Sequence, residues 1–131
     1  MDRILIVEDD PAMATLYKDL FEKEGFSVSL ATDGDSGLKV ALSTLPDIIL
    51  LDILLPKMNG MTVLTKIRST EWGKKEPIMI LSNVDPDDTM MQNIVYAQPT
   101  YYLLKANTTP GEVLEKVKSV LKERKEKANT P

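Results

Sequence analysis

The sequence predicts an α/β chain in three layers, a five-stranded parallel sheet between two layers of helices, and three observations predict it. Short apolar runs alternate with longer stretches of helical periodicity five times along 131 residues, the pattern of successive βα units. Three of those runs, residues 4–7, 48–51 and 78–81, are apolar at both parities, as strands covered by helices on both faces are. At 43% hydrophobic residues the length supports one domain with a sizeable core and leaves no room for a second.

The elements follow in order. Ile4-Leu5-Ile6-Val7 is a central strand, and Met13, Leu16, Tyr17, Leu20 and Phe21 form the packing stripe of a first helix that Gly25 closes. Phe26, Val28 and Leu30 then alternate with Ser27, Ser29 and Ala31, which suits an edge strand with one less covered face. Asp33-Gly34 marks a turn, and Leu38, Ala41, Leu42 and Leu45 stripe the second helix. Ile48-Ile49-Leu50-Leu51 is the third strand; Asn59-Gly60 opens a third helix striped by Val63, Leu64 and Ile67. Ile78-Met79-Ile80-Leu81 is the fourth strand, and Met90, Met91, Ile94 and Val95 face the core from the fourth helix, with the methionines as gap fillers. Residues 101–104 are the fifth strand, of ambiguous parity. The fifth helix enters through Thr109 as N-cap and Pro110 at its first position, and packs through Val113, Leu114, Val117, Val120 and Leu121. The domain is read as residues 1–124, with 125–131 a frayed, solvated tail; there is no repeat and no linker.

Charge narrows the function. Sixteen Lys plus Arg against 20 Asp plus Glu give a net of −4, no field that would hold nucleic acid or an anionic membrane. The absence of cysteine excludes disulfides and thiolate metal sites, and the absence of histidine removes the commonest general base and metal ligand. Four apolar residues near the start fall short of a signal segment or a membrane span. A soluble, cytoplasmic protein is expected.

In an open parallel sheet, ligands bind outside the carboxyl ends of the strands. Strand one runs into Glu8-Asp9-Asp10, strand three into Asp52, strand four into Ser82-Asn83 and strand five into Lys105. Clustered carboxylates repel unless a positive group sits among them, and oxygen ligands alone favour a hard cation such as Mg²⁺. A Mg²⁺ held by few carboxylates keeps waters and accepts phosphate oxygens, the usual setting for phosphoryl chemistry. Each residue taken singly has a plainer reading: an aspartate after a strand as a turn former, the acidic run as a helix start, Lys105 as a solvated strand end, Ser82 as a turn cap, Tyr102 as edge-strand packing.

Together these residues resemble the response-regulator receiver domains of two-component signalling over nearly the whole chain. The segment Ile4-Leu5-Ile6-Val7-Glu8-Asp9-Asp10-Pro11 is similar to the family's first strand and acidic pair. Asp47-Ile48-Ile49-Leu50-Leu51-Asp52-Ile53-Leu54-Leu55-Pro56-Lys57-Met58-Asn59-Gly60 is similar to its phosphoacceptor signature, and Tyr102-Leu103-Leu104-Lys105 to its fifth strand. The resemblance implies a flavodoxin-like fold with strand order 2-1-3-4-5. It implies Asp52 as the phosphoacceptor and Mg²⁺ held by Asp9 and Asp52 directly, by the Leu54 carbonyl, and by Glu8 through water, with Asp10 outside the ligand set. Lys105 would pair with the phosphorylated aspartate, Ser82 would donate its hydroxyl to a phosphoryl oxygen, and Tyr102 would turn toward the core as the switch aromatic. Implied partners are a histidine kinase or histidine phosphotransfer protein and a downstream protein met on the surface from the fourth helix to the fifth, with a phosphorylation-linked dimer.

The sequence departs from the family pattern in three places. Ala106 follows Lys105 where the family has proline after a cis bond, so this bond is either trans with an altered loop or cis under strain. Asn83 replaces a small residue, and Tyr96-Ala97-Gln98-Pro99-Thr100 replaces the usual turn before strand five. Leu54 and Val84, two residues beyond Asp52 and Ser82, cannot orient an attacking water, so slow autodephosphorylation is expected. Alternatives are a receiver-like interaction module that takes no phosphate, an N-terminal receiver excised from a longer regulator, and a haloacid-dehalogenase-type phosphotransferase. The last ranks lowest, because Leu54 stands where such enzymes carry a second acid.

Overall fold

In the computed structural model, which describes residues 2–128, the five apolar runs become β1 (Arg3–Val7), β2 (Ser27–Ala31), β3 (Ile48–Leu51), β4 (Ile78–Ser82) and β5 (Tyr101–Leu104). All pairings are parallel, in the order β2-β1-β3-β4-β5. The helices are α1 (Pro11–Lys23), α2 (Gly34–Thr44), α3 (Gly60–Arg68), α4 (Asp88–Ala97) and α5 (Pro110–Ala128). The expected flavodoxin-like fold and strand order are present.

Alternation along each strand sends neighbouring residues to opposite faces and so builds two cores. Ile4, Ile6, Ile48, Leu50, Met79 and Leu81 meet Tyr17 and Phe21 of α1 and Val113, Val117 and Val120 of α5. Leu5, Val7, Ile49, Leu51, Ile78 and Ile80 meet Ala41 of α2, Val63, Leu64 and Ile67 of α3, and Ala97 of α4. The same division settles the parity of β5: Tyr101 and Leu103 pack on the first core and Tyr102 on the second. Side-chain caps define the helix starts. Asp10, Asp33, Asn59 and Asp87 each accept from a backbone N–H in the first turn, and Thr109 and Glu112 bond reciprocally at the start of α5. Gly25, at φ +91, ends α1 in a conformation that disfavours other residues.

Several packing expectations are corrected. Leu16, Leu30, Leu42, Leu45, Met91 and Val95 are exposed. Gly37 lets α2 lie close on Val7, where an added Cβ would stand 2.8 Å from a Val7 methyl, so α2 rests on Gly37 and Ala41 while Leu42 points outward. Leu45 serves as a left-handed helix cap. On α4 only Ile94 and Ala97 are buried, because that helix lies beside α3 and presents one narrow side to the sheet. Leu30 sits on the β2 edge.

Residues 125–128, read from the sequence as frayed tail, continue α5, and 129–131 lie outside the described residues. Arg124 donates to the Asp47 carbonyl at 2.8 Å and to Glu76 Oε1 at 2.6 Å, and Lys125 reaches Asp2 at 3.0 Å. These bonds tie the last turns to the amino ends of the strands. No peptide bond among the described residues is cis. Of the two alternatives for Lys105-Ala106, the observed one is trans, with Lys105–Asn107 wound into a single 3₁₀ turn.

Candidate functional site

Strand register brings the acids together. Val7 of β1 lies opposite Ala31 and Leu51, so the next residues, Glu8 and Asp52, leave the sheet side by side. Their backbones are held by the ladder itself: the Glu8 N–H donates to the Ala31 carbonyl at 3.0 Å and the Asp52 N–H to the Val7 carbonyl at 3.1 Å. Behind Asp52 the chain is pinned by Gly60, whose N–H donates to Ile53 O at 2.8 Å. A Cβ at position 60 would lie 2.0 Å from the Asp52 carbonyl, so glycine is required for α3 to approach this closely.

From the other side of the sheet Ser82 pairs with Leu104, and the next residue, Lys105, reaches across. Its Nζ donates to Glu8 Oε1 at 3.0 Å, Glu8 Oε2 at 2.8 Å and Asp52 Oδ2 at 2.9 Å. Glu8 and Asp52 are each only 6% exposed, while Asp9 is exposed. All three present a carboxylate oxygen within 4.8 Å of one another. Asp10 instead caps α1, accepting from the Ala12 N–H at 3.0 Å. The donor set is oxygen only, partly buried and partly open, which fits a hard divalent cation such as Mg²⁺ and not a soft one.

Burial raises the Glu8 carboxyl above the ordinary range; the bonds and charge of Lys105 oppose this, and the Asp52 charge adds to it. Burial pulls the Lys105 ammonium down, but its bonds to Glu8 and Asp52 outweigh burial and hold it above the ordinary lysine value. Lysine is therefore the fixed positive charge of the site. The second Asp52 oxygen, Oδ1, accepts only a long 3.3 Å contact from the Leu54 N–H, which leaves a carboxylate oxygen directed away from the ammonium.

The remaining residues gather at the β4–α4 loop. Ser82 is fully buried; its Oγ accepts from the Val84 N–H at 3.3 Å, and its hydroxyl bonds that of Tyr102. Tyr102 is turned inward, its hydroxyl donating to the Val84 carbonyl at 2.5 Å. Burial, then the charges of Asp52 and Asp85, push the Tyr102 phenol up, against a bond with Ser82. The Leu54 side chain is exposed and only its backbone is at the site. One residue that sequence reading assigned purely to packing also borders the acids. Tyr17 lines a small cavity shared with Glu8 and Asp52; the helical stripe that predicted its burial carried no sign of where its hydroxyl would lie.

The family model described as "Response regulator receiver domain" matches residues 4–118. The transcriptional regulatory protein DltR of Streptococcus agalactiae is 45% identical over 80 residues, 61% of this chain and 35% of DltR. The alkaline phosphatase synthesis transcriptional regulatory protein PhoP of Bacillus subtilis is 31% identical over 120 residues, 92% of this chain and 48% of PhoP. The chain thus spans less than half the length of either relative. Among solved structures, a receiver domain protein from Methanospirillum hungatei superimposes with a TM-score of 0.88 at 28% identity, covering 97% of this chain and 98% of that one. The BeF3-activated receiver domain of Klebsiella pneumoniae RstA gives 0.80 at 31% identity, covering 92% and 98%. No helix among the described residues is long and apolar enough to cross a membrane.

Proposed function

The chain belongs to the response regulator receiver domain family, and on that premise we propose that it accepts a phosphoryl group on Asp52 and answers by changing a protein-binding surface. The observation that carries the reading is Lys105, held on Glu8 and Asp52 at 2.8 and 2.9 Å beside three convergent acids. Asp52 attacks phosphorus: a P–O bond forms to its carboxylate as the bond to the donor breaks, and the donor, a kinase or phosphotransfer-protein histidine or a small phosphodonor, departs with the electron pair. Asp9, Asp52 and the Leu54 carbonyl would hold Mg²⁺ directly and Glu8 would hold it through water. When bound, the cation neutralises the acids and draws phosphoryl oxygens into line. Lys105 moves its contact from Glu8 and Asp52 to the charge developing on those oxygens.

Ser82 would turn its hydroxyl from Tyr102 to the same oxygens, and Tyr102, already bonded to the loop beyond Ser82, follows that loop. The surface from α4 through β5 to α5 then receives the downstream partner or a second copy. Contact with other proteins carries the signal; neither DNA contact nor turnover of an outside substrate belongs to this reading, and its compartment is the cytoplasm.

Intact-mass measurement after incubation with Mg²⁺ and acetyl phosphate tests the reading. A single phosphoryl adduct, absent in Asp52→Asn, is expected. No adduct would make the chain a receiver-like interaction module, and rapid consumption of the donor without an adduct would make it an enzyme. With Leu54 and Val84 flanking the site, the adduct should be long-lived and should decay faster in Val84→Glu. Equal decay in the two proteins would remove that expectation.

A further inference from the structure

The loop from Ile53 to Asn59 carries the Leu54 carbonyl and is closed at its base by the Gly60 N–H, which donates to Ile53 O at 2.8 Å. Within it the Met58 N–H donates back to the Pro56 carbonyl at 2.7 Å, and Lys57, between them, has φ +67. Such a three-residue turn at positive φ is rare and strained, and it persists only where its surroundings hold it. The hold comes from the first residue of α2. The Gly34 N–H donates to the same Pro56 carbonyl at 3.1 Å, and a Cβ at position 34 would stand 1.7 Å from Met58 O and 2.6 Å from its carbonyl carbon. The ion pair of Lys57 with Asp33 spans 3.7 Å with the lysine 69% exposed, so it adds little. Backbone contact is what joins the two segments.

Of the two sides, the loop is the one free to give. α2 is seated by Gly37 on Val7 and by fully buried Ala41, and Asp33 caps it by accepting from the Ser36 N–H at 2.7 Å. The loop has no regular structure, and its Leu54 side chain is 63% exposed. Closed at Gly60, it cannot absorb a shift of Met58 at its base, so the shift passes back through Pro56 toward Leu54. We propose that Gly34 is a positioning residue of the acidic site: the start of α2, closing on Met58 and Pro56, holds the loop in the course that offers the Leu54 carbonyl to the cation. The inference rests on the function proposed above, in which that carbonyl is a ligand.

The test sets Gly34→Ala beside Gly73→Ala, which meets a similar backbone wall, 2.0 Å from Ile67 O, at the other end of the sheet. Both should lower the thermal midpoint. Only Gly34→Ala should weaken Mg²⁺ affinity measured by calorimetry, by about tenfold, the low end of what losing an outer support costs a metal site. Affinity equal to wild type in Gly34→Ala, or an equal loss in Gly73→Ala, overturns the proposal. Where Gly34→Ala does not fold, wild type decides: bound Mg²⁺ should slow hydrogen exchange of the Gly34 N–H several-fold, and an unchanged rate overturns the proposal. Wild type that binds no Mg²⁺ overturns the metal reading instead. Exchange of the Gly60 N–H in metal-free Gly34→Ala then decides the clamp, a faster rate upholding it and an unchanged one overturning it.

Discussion

The two ends of the sheet each bury a carboxylate against a cation, and they do so in opposite ways. At the carboxyl end, Glu8 and Asp52 share one lysine whose side chain is 13% exposed, and Asp9 leaves the cluster open to solvent. At the amino end, Glu76 meets Arg124 at 2.6 Å, Arg124 also holds the Asp47 carbonyl, and Arg68 bonds the carbonyls of Gly73, Glu76 and Gln98. The planar arginine forks are spent on backbone oxygens that cannot move, which fixes α5 and α3 to the strand starts. Lysine is a compact charge on a flexible stem with three donors, all directed at side chains. An ion pair built to hold the fold uses arginine and backbone; one built to be rearranged uses lysine, surplus acid and an opening.

The strongest test of this contrast removes each cation. Lys105→Met and Arg124→Met should each destabilise by about 2 kcal/mol, below the full cost of breaking a buried pair because a carboxyl can protonate and Arg124 is partly exposed. Millimolar Mg²⁺ should restore Lys105→Met in urea melts and leave Arg124→Met unchanged, while Arg124→Met should still form the phosphoryl adduct. Rescue of both, or of neither, would erase the distinction.

Neutralising one acid at each end should give effects of opposite sign. Asp52→Asn relieves repulsion with Glu8 and should stabilise by roughly 1 kcal/mol, whereas Glu76→Gln weakens a charged bond to Arg124 and should cost about the same. Thermal midpoints of the two variants compare them directly.

The smallest effect concerns pH. Burial raises both Glu8 and Glu76 above the ordinary carboxylate value of 4.5. Each therefore binds its proton more tightly in the folded chain, and stability falls as pH rises through the window just above that value. The contribution of Lys105, raised in its turn, is lost only above the ordinary lysine range. Glu8→Gln and Glu76→Gln should each flatten the slope of urea midpoint against pH between the carboxylate range and neutrality, and an unchanged slope would show that burial leaves that carboxyl unshifted.

These regions were unequally legible in the sequence. Apolar runs at both parities located β1, β3 and β4, and the residues that follow them named the acids and Ser82, as the end of the fifth run named Lys105, because parallel strands put all their carboxyl ends on one side. The amino-end network gave no signal. Glu76, Arg68 and Arg124 are ordinary charged residues in sequence, and only the docking of α5 brings Arg124 onto the buried Glu76. Exposed Leu16, Leu42 and Met91 show the same limit on the helices: a 3.6-residue period says which side is apolar, while the width actually covered depends on how closely a helix such as α2 settles on Gly37.

The sequence by itself determined the alternation of strands and helices, the acids and lysine at the strand ends, and the absence of histidine and cysteine that leaves only oxygen ligands. Those are properties of residue type and local period. Tertiary structure alone decided that the Lys105-Ala106 bond is trans with the ammonium still on Glu8 and Asp52, that Tyr102 faces the second core, and that Tyr17 ends beneath the acids. Each of those depends on distances between segments far apart in the chain, set by sheet register and helix seating, which no local pattern encodes.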